Sequence, residues 1–239
     1  MPEQDDNTII HSIRGHPIRG YHLKPLFNHT MQLWDITVLS YLLLLEQRSP
    51  DTIKVHDFYV IDRLEQKDYS CVHRLYRTKK ATDFTWTFFP TIKNRHFYLI
   101  VAHNDNTGEV KISSYDSMHL LHSSELQAVR QYYQDAISTE TTGYYYNFVL
   151  SENAADKMIV QQDGSSCGVY CAMIADCLTS NVDITLLTPS SIIKDRQRMA
   201  QNLISQDAPV LVTAHVTSSV SQSNKRTLPK FLQGHKLQS

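Results

Sequence analysis

Val160-Gln161-Gln162-Asp163-Gly164-Ser165-Ser166-Cys167-Gly168-Val169-Tyr170-Cys171 is the stretch on which the fold turns. The strongly apolar run that follows, residues 168–178, predicts a buried helix, and the glycine-bearing loop before it predicts that Cys167 opens that helix. The free N–H groups of a helix N-terminus favour negative charge, so a thiol placed there ionises more readily. Gln161 stands six residues earlier and carries an amide able to donate to an oxyanion beside the backbone N–H of Cys167. One such donor contributes about 3 kcal/mol of transition-state stabilisation. Gln162 offers the same chemistry one place on. Gly164 and Gly168 let the chain bend tightly and let a substrate backbone approach. Cys171 and Cys177 lie inside the predicted helix, and Cys71 has no glycine loop beside it, so all three read as structural thiols.

A thiol nucleophile needs a base, and the chain upstream offers one. Residues 96–103 (His-Phe-Tyr-Leu-Ile-Val-Ala-His) read as a strand covered on both faces. Asn104-Asp105-Asn106-Thr107-Gly108 is a turn, and residues 110–115 return as the second strand of a hairpin. Twenty residues separate His96 from Asp116, about what strand, turn and strand require, so pairing brings the carboxylate back beside the imidazole. His96 is the candidate general base and Asp116 the group that orients it. His103, at the hairpin tip, is the rival base.

Around this nucleus, residues 30–47 predict a helix buried on one broad face, stopped by Ser49-Pro50-Asp51. Residues 58–61 read as a short strand or a buried turn, and residues 84–90 as an aromatic strand ended by Pro90. Residues 123–137 have helical spacing; 147–150 and 157–160 read as short strands. Residues 189–204 predict a late helix with Pro189 in its first turn and Ile192, Ile193, Met199, Leu203 and Ile204 on its apolar side. Residues 62–83 have a mixed, charged pattern that fixes no element. Helices and strands in this order predict an α+β domain with a central mixed sheet flanked by helices. Residues 1–25, with Gly15, Pro17, Gly20 and Pro25, read as a flexible N-terminal arm. Residues 26–207 form the domain, and residues 208–239, basic and without an acidic residue after 215, read as a flexible tail.

Composition narrows the function classes. The 239 residues carry 23 Lys plus Arg against 24 Asp plus Glu, a net charge of −1 that gives no argument for nucleic acid as a partner. The N-terminus is acidic and lacks the apolar stretch of a signal peptide, and the apolar run near residues 39–45 is too short to span a bilayer. Four cysteines without a CxxC pair, with Cys167 and Cys171 poorly placed to bridge, predict free thiols in a reducing compartment and no metal site. The expectation is a soluble monomer of cytoplasm or nucleus, with secretion into a host cell the alternative.

These residues resemble the clan CE proteases of ubiquitin-like proteins, which include the SUMO proteases, the related deneddylase, the adenovirus main protease and a set of bacterial effectors. His96, Asp116, Gln161 and Cys167 match the family's order one by one. Phe88-Phe89-Pro90 with Arg95-His96-Phe97, Ser114-Tyr115-Asp116-Ser117-Met118 and Ser166-Cys167-Gly168-Val169-Tyr170 are similar to its local motifs, and residues 193–199 are similar to its closing helix. Residues 33–42 are similar to its early helix. The resemblance implies a papain-like core with catalytic Cys167, His96, Asp116 and Gln161. It also implies a narrow site for a Gly-Gly tail near Trp34, Phe97, Gly164 and Ser166, no cofactor, and ubiquitin or a ubiquitin-like modifier as partner. Three positions depart from the pattern. Phe97 replaces the usual tryptophan, Trp34 stands one place from its usual position, and Ser166 stands where aspartate is common. They lean toward divergent or effector-like members and favour deubiquitination, with SUMO or the neddylation modifier as other substrates. An effector-type acetyltransferase using the same core and an inactive modifier-binding module are the alternative functions.

Overall fold

In the computed structural model the structure describes residues 6–73, 80–138 and 146–207. In chain order the elements are β1 (Ile9–Ile13), β2 (His16–Arg19), α1 (Gly20–Phe27), α2 (Asp35–Arg48), β3 (Ile53–Val55), α3 (Val60–Glu65), α4 (Ser70–His73), β4 (Trp86–Lys93), β5 (His96–Asn104), β6 (Glu109–Tyr115), α5 (Ser123–Ser138), β7 (Asn147–Ser151), α6 (Cys167–Thr179) and α7 (Pro189–Ser205). Five strands form one mixed sheet in the order β3-β4-β5-β6-β7, parallel at its two outer pairs and antiparallel inside.

The central strand explains the layering. Side chains alternate across a strand. Phe97, Leu99 and Val101 of β5 therefore join a core with α2, α6 and α7. Tyr98, Ile100 and Ala102 join a second core with α3 and α5. The continuous apolar run is the sequence signature of that two-sided burial. α2 is enclosed rather than one-faced: every residue from Thr37 to Glu46 is buried.

Several expectations need correction. Within the expected flexible arm at 1–25, the described residues form a hairpin, β1 and β2, and most of helix α1. Arg14 and Gly15, both with positive φ (49° and 83°), turn the chain so that Ile13 pairs with His16. Ile13, Ile18, Leu23 and Leu26 are then buried in the first core. Of the two readings of residues 58–61, the turn holds at Phe58 and Tyr59, with Phe58 buried; the strand lies at Ile53–Val55, and Val60 and Ile61 begin α3. Residues 157–160 form no strand. β4 continues through Pro90 to Lys93. Trp86 and Phe88 bond toward β3, so Pro90 turns its nitrogen to the same side, beyond the last β3 residue, where no donor is needed. On α7, Ile193 is exposed and Arg196 takes the buried position. The tail at 208–239 lies outside the described residues. Among the described residues no helix is long and apolar enough to cross a membrane, and no group of three or more His, Cys, Asp and Glu is placed to hold a metal ion.

Candidate active site

Three elements converge on one point. Asn94 and Arg95 both adopt positive φ (52° and 62°), which makes a two-residue turn pairing Lys93 with His96. His96 is thus held at the first position of β5. β6 pairs with β5 as far as Tyr115 opposite Leu99, and Asp116 leaves the strand end toward His96. Cys167 is the first residue of α6. Burial of the apolar helix against β5 and α2 sets its depth. At Gly168 a β-carbon would meet Val38 Cγ2 at 3.0 Å and Phe97 Cδ2 at 3.4 Å, so glycine there serves close packing rather than substrate approach.

The hydrogen bonds run in series. His96 Nε2 lies 2.9 Å from each oxygen of Asp116, which leaves Nδ1 for the thiol, and the His96 side chain hydrogen-bonds Cys167. Asp116 is fully buried. Burial alone would raise its pKa, but His122, His96 and the Met118 N–H hold the carboxyl far below the usual range. For His96, burial acts to lower the pKa, and bonding to Asp116 and Cys167 outweighs it, raising the pKa to about 9. For Cys167, burial acts to raise the pKa; bonds from His96, the Phe97 backbone N–H and the Gln32 amide bring it below the ordinary thiol value. Cys171 and Cys177 lack such donors: burial drives Cys171 strongly upward and Cys177 to about 12. Both shifts act in the same sense, toward a thiolate beside an imidazolium, which is the reactive form of a cysteine nucleophile.

Gln161 is buried and Gln162 exposed. The Gln161 side-chain oxygen accepts from Ser117 Oγ at 2.7 Å, and its backbone N–H donates to the Ser117 carbonyl at 2.8 Å. Its amide nitrogen donates to the Asp163 carbonyl and lies 3.5 Å from Asp163 Oδ1. An amide nitrogen carries two hydrogens, and the second has only that long contact. The carboxamide is fixed at both ends, with a donor in reserve.

The residues expected around a substrate tail divide. Gly164 is exposed, with open space where a β-carbon would stand. Trp34 is 49% exposed and lies edge-on to Tyr21 at 5.8 Å. Ser166 is buried, its N–H donated to Asp163 Oδ1 at 2.7 Å. Phe97 corrects the expectation: its ring is 1% exposed and packs edge-on against Phe58 at 5.6 Å, inside the core instead of over the cleft. It reaches the site through its backbone N–H. His103 stacks on Trp86 at 4.0 Å, at the opposite end of β5 from the thiol.

Sequence reasoning missed four participants. Gln32 Nε2 lies 3.5 Å from Cys167 Sγ and donates to the Arg95 carbonyl. His122 Nε2 donates to Asp116 Oδ2 at 2.7 Å. Asp163 accepts from the N–H groups of Ser165 and Ser166, each at 2.7 Å, closing the loop before Cys167. Arg196, 1% exposed, donates to the carbonyls of Pro25 (2.7 Å), Met31 (3.0 Å) and Ser165 (2.8 Å), clamping the loops on both sides of the site. Only Asp163 had a local signature, an aspartate before Gly-Ser that suits a side-chain-to-backbone turn.

Known proteins resemble this chain in sequence family and in fold. The model of the Ulp1 protease family, C-terminal catalytic domain, matches residues 47–208, a span that holds His96, Asp116, Gln161 and Cys167. No curated protein sequence matches the chain. Among solved structures, the C-terminal Ulp1 protease domain in complex with Smt3, the yeast ortholog of SUMO, has a TM-score of 0.68 at 16% identity, covering 86% of this chain and 90% of that one. The Ulp1-like SUMO protease catalytic domain of Chaetomium thermophilum has a TM-score of 0.65 at 18% identity, covering 84% of each chain. A protease of ASFV has a TM-score of 0.52 at 13% identity, covering 72% of this chain and 68% of that one. These likenesses are of fold. The family model, matching more than half of the chain, carries the assignment: this chain belongs to the Ulp1 protease family, and is a cysteine protease.

Proposed function

We propose that the chain hydrolyses the bond after the C-terminal glycine of ubiquitin or a ubiquitin-like modifier, with Cys167 as nucleophile. The observation that carries this reading is the series Asp116–His96–Cys167 at the start of α6, whose hydrogen bonds lower the thiol pKa and so favour the thiolate. The Cys167 thiolate attacks the glycine carbonyl, and the oxygen takes up the negative charge. The reserve hydrogen of Gln161 and the backbone N–H of Cys167 are its proposed donors. His96 gives its proton to the departing lysine amine as the C–N bond breaks, leaving a thioester. Water then adds, losing one proton to His96; the C–S bond breaks to restore the thiolate beside the protonated His96, and the released carboxylic acid gives its proton to solvent. Exposed Trp34 and Gly164, with the backbone at Ser166, are the proposed contacts of the tail.

A modifier is the proposed partner because the family's solved members include a complex with a SUMO ortholog. Propargylamide derivatives of ubiquitin, SUMO and the neddylation modifier, incubated with the full chain, test this directly. The expected result is a covalent adduct with at least one modifier, lost in Cys167→Ala. An adduct that survives Cys167→Ala would move the nucleophile elsewhere.

A further inference from the structure

His122 is outside every motif discussed above, yet it holds the carboxylate on which His96 depends. It is buried. Its ring lies against Tyr98 at 3.6 Å with an interplanar angle of 8°. Tyr98 is itself fixed, its hydroxyl donating to Glu125 Oε1 at 2.9 Å, while Lys93 Nζ sits 2.7 Å from the same oxygen. His122 Nδ1 is 4.0 Å from that oxygen, too far for a hydrogen bond. So the His122 plane is set by stacking on a tethered tyrosine, and its Nε2–H is aimed at Asp116 Oδ2, 2.7 Å away.

The carboxylate requires such a partner. Asp116 is cut off from water, and a buried carboxylate is stable only where its oxygens are hydrogen-bonded. Oδ1 has the Met118 N–H at 2.6 Å. Oδ2 has His122 and a share of the His96 N–H. Without the His122 donor, Oδ2 depends on that shared hydrogen alone. The carboxylate is then free to turn, and with it the imidazole that faces the thiol.

We propose that His122 is a positioning residue for the thiolate–imidazolium pair, acting through Asp116 and touching neither substrate nor sulfur. The inference rests on the proposed roles of Asp116, His96 and Cys167, and its test separates the two. Alkylation of Cys167 by iodoacetamide at neutral pH reads the reactive pair without any modifier substrate, and hydrolysis of a modifier–aminomethylcoumarin conjugate reads turnover. His122→Phe keeps a ring to stack on Tyr98 but removes the donor; His122→Gln keeps an N–H and loses the ring. Losses of about 10-fold or more are typical when the partner that orients a functional side chain is removed. Expected for His122→Phe is a fall of that size in the alkylation rate and in kcat, with KM within about twofold. His122→Gln should exceed His122→Phe by about fivefold or more. Equal losses in the two variants, an effect confined to KM, or His122→Phe alkylating at the wild-type rate would each overturn the proposal. Slow alkylation of Cys167 in the wild-type chain, no faster than Cys71, would instead overturn the underlying reading of the site.

Discussion

Both oxygens of Asp116 stand 2.9 Å from Nε2 of His96, so the imidazole points its other nitrogen at Cys167 whichever oxygen takes the larger share of the proton. This geometry predicts a bounded pH profile. The reactive form requires a thiolate on Cys167 and a proton on His96. Reactivity rises as pH climbs through the depressed thiol pKa, and falls as pH passes about 9, where His96 loses its proton. The linkage has the matching sign. A raised histidine pKa stabilises the folded state fully below about 6.5, and that contribution disappears as pH rises through about 9. Cys167→Ala removes one of the groups that raise the His96 pKa, so the NMR titration of His96 should move to lower pH in that variant. No movement would mean that the sulfur contributes nothing to the histidine's charge.

His96 and His103 open and nearly close the same strand, and their substitution separates the two candidates for base. His96→Ala should lower kcat/KM by about 100-fold or more. His103→Ala removes a ring stacked on Trp86, and should cost about 1 kcal/mol of stability with turnover close to wild type. Steady-state kinetics and thermal melts on the two variants check this. The reverse ranking would transfer the base to His103.

Gln32 contributes its amide to the sulfur from a loop that precedes α2. Removing a donor to an ionised group costs roughly 1.5–3 kcal/mol. Gln32→Ala should therefore raise the Cys167 pKa and lower its alkylation rate at neutral pH by about 10-fold. A titration of alkylation rate against pH reads both at once. An unchanged thiol pKa would confine Gln32 to its bond with the Arg95 carbonyl.

Arg196 supplies buried donors to three well-separated carbonyls. Arg196→Ala leaves those acceptors without their partner inside the protein, at a cost of about 3 kcal/mol or more. Urea unfolding should show that loss. Arg196→Lys should recover only part of it, since an ammonium has no planar fork. Wild-type stability in Arg196→Ala would mean that the loops hold their shape without the clamp.

What was legible in the chain had local causes. The β5–β6 hairpin showed because a continuous apolar run, an Asn-Asp-Asn-Thr-Gly turn and a fixed separation all act within a few residues, and they bring Asp116 to His96. Cys167 at a helix start showed because an apolar helix followed a glycine loop. What escaped notice had distant causes. Gln32 and Cys167 are 135 positions apart and meet only when α2, α6 and β5 have packed. Arg196 looked like the polar side of an amphipathic helix, because nothing near it announces three carbonyls from other segments. The β1–β2 hairpin was read as a loose arm because Gly15 and Pro17 look like breakers. Gly15 instead makes the turn, and Pro17 is accommodated in a two-stranded ribbon.

The guanidinium of Arg196 also orders events in time. It fastens the segment before α2 and the residue two places ahead of Cys167, yet it leaves the ribosome after both. A nascent or prematurely terminated chain ending before it would carry every reactive group without the brace that aligns their loops. Synthesis itself would thus delay the onset of proteolysis until α7 has emerged.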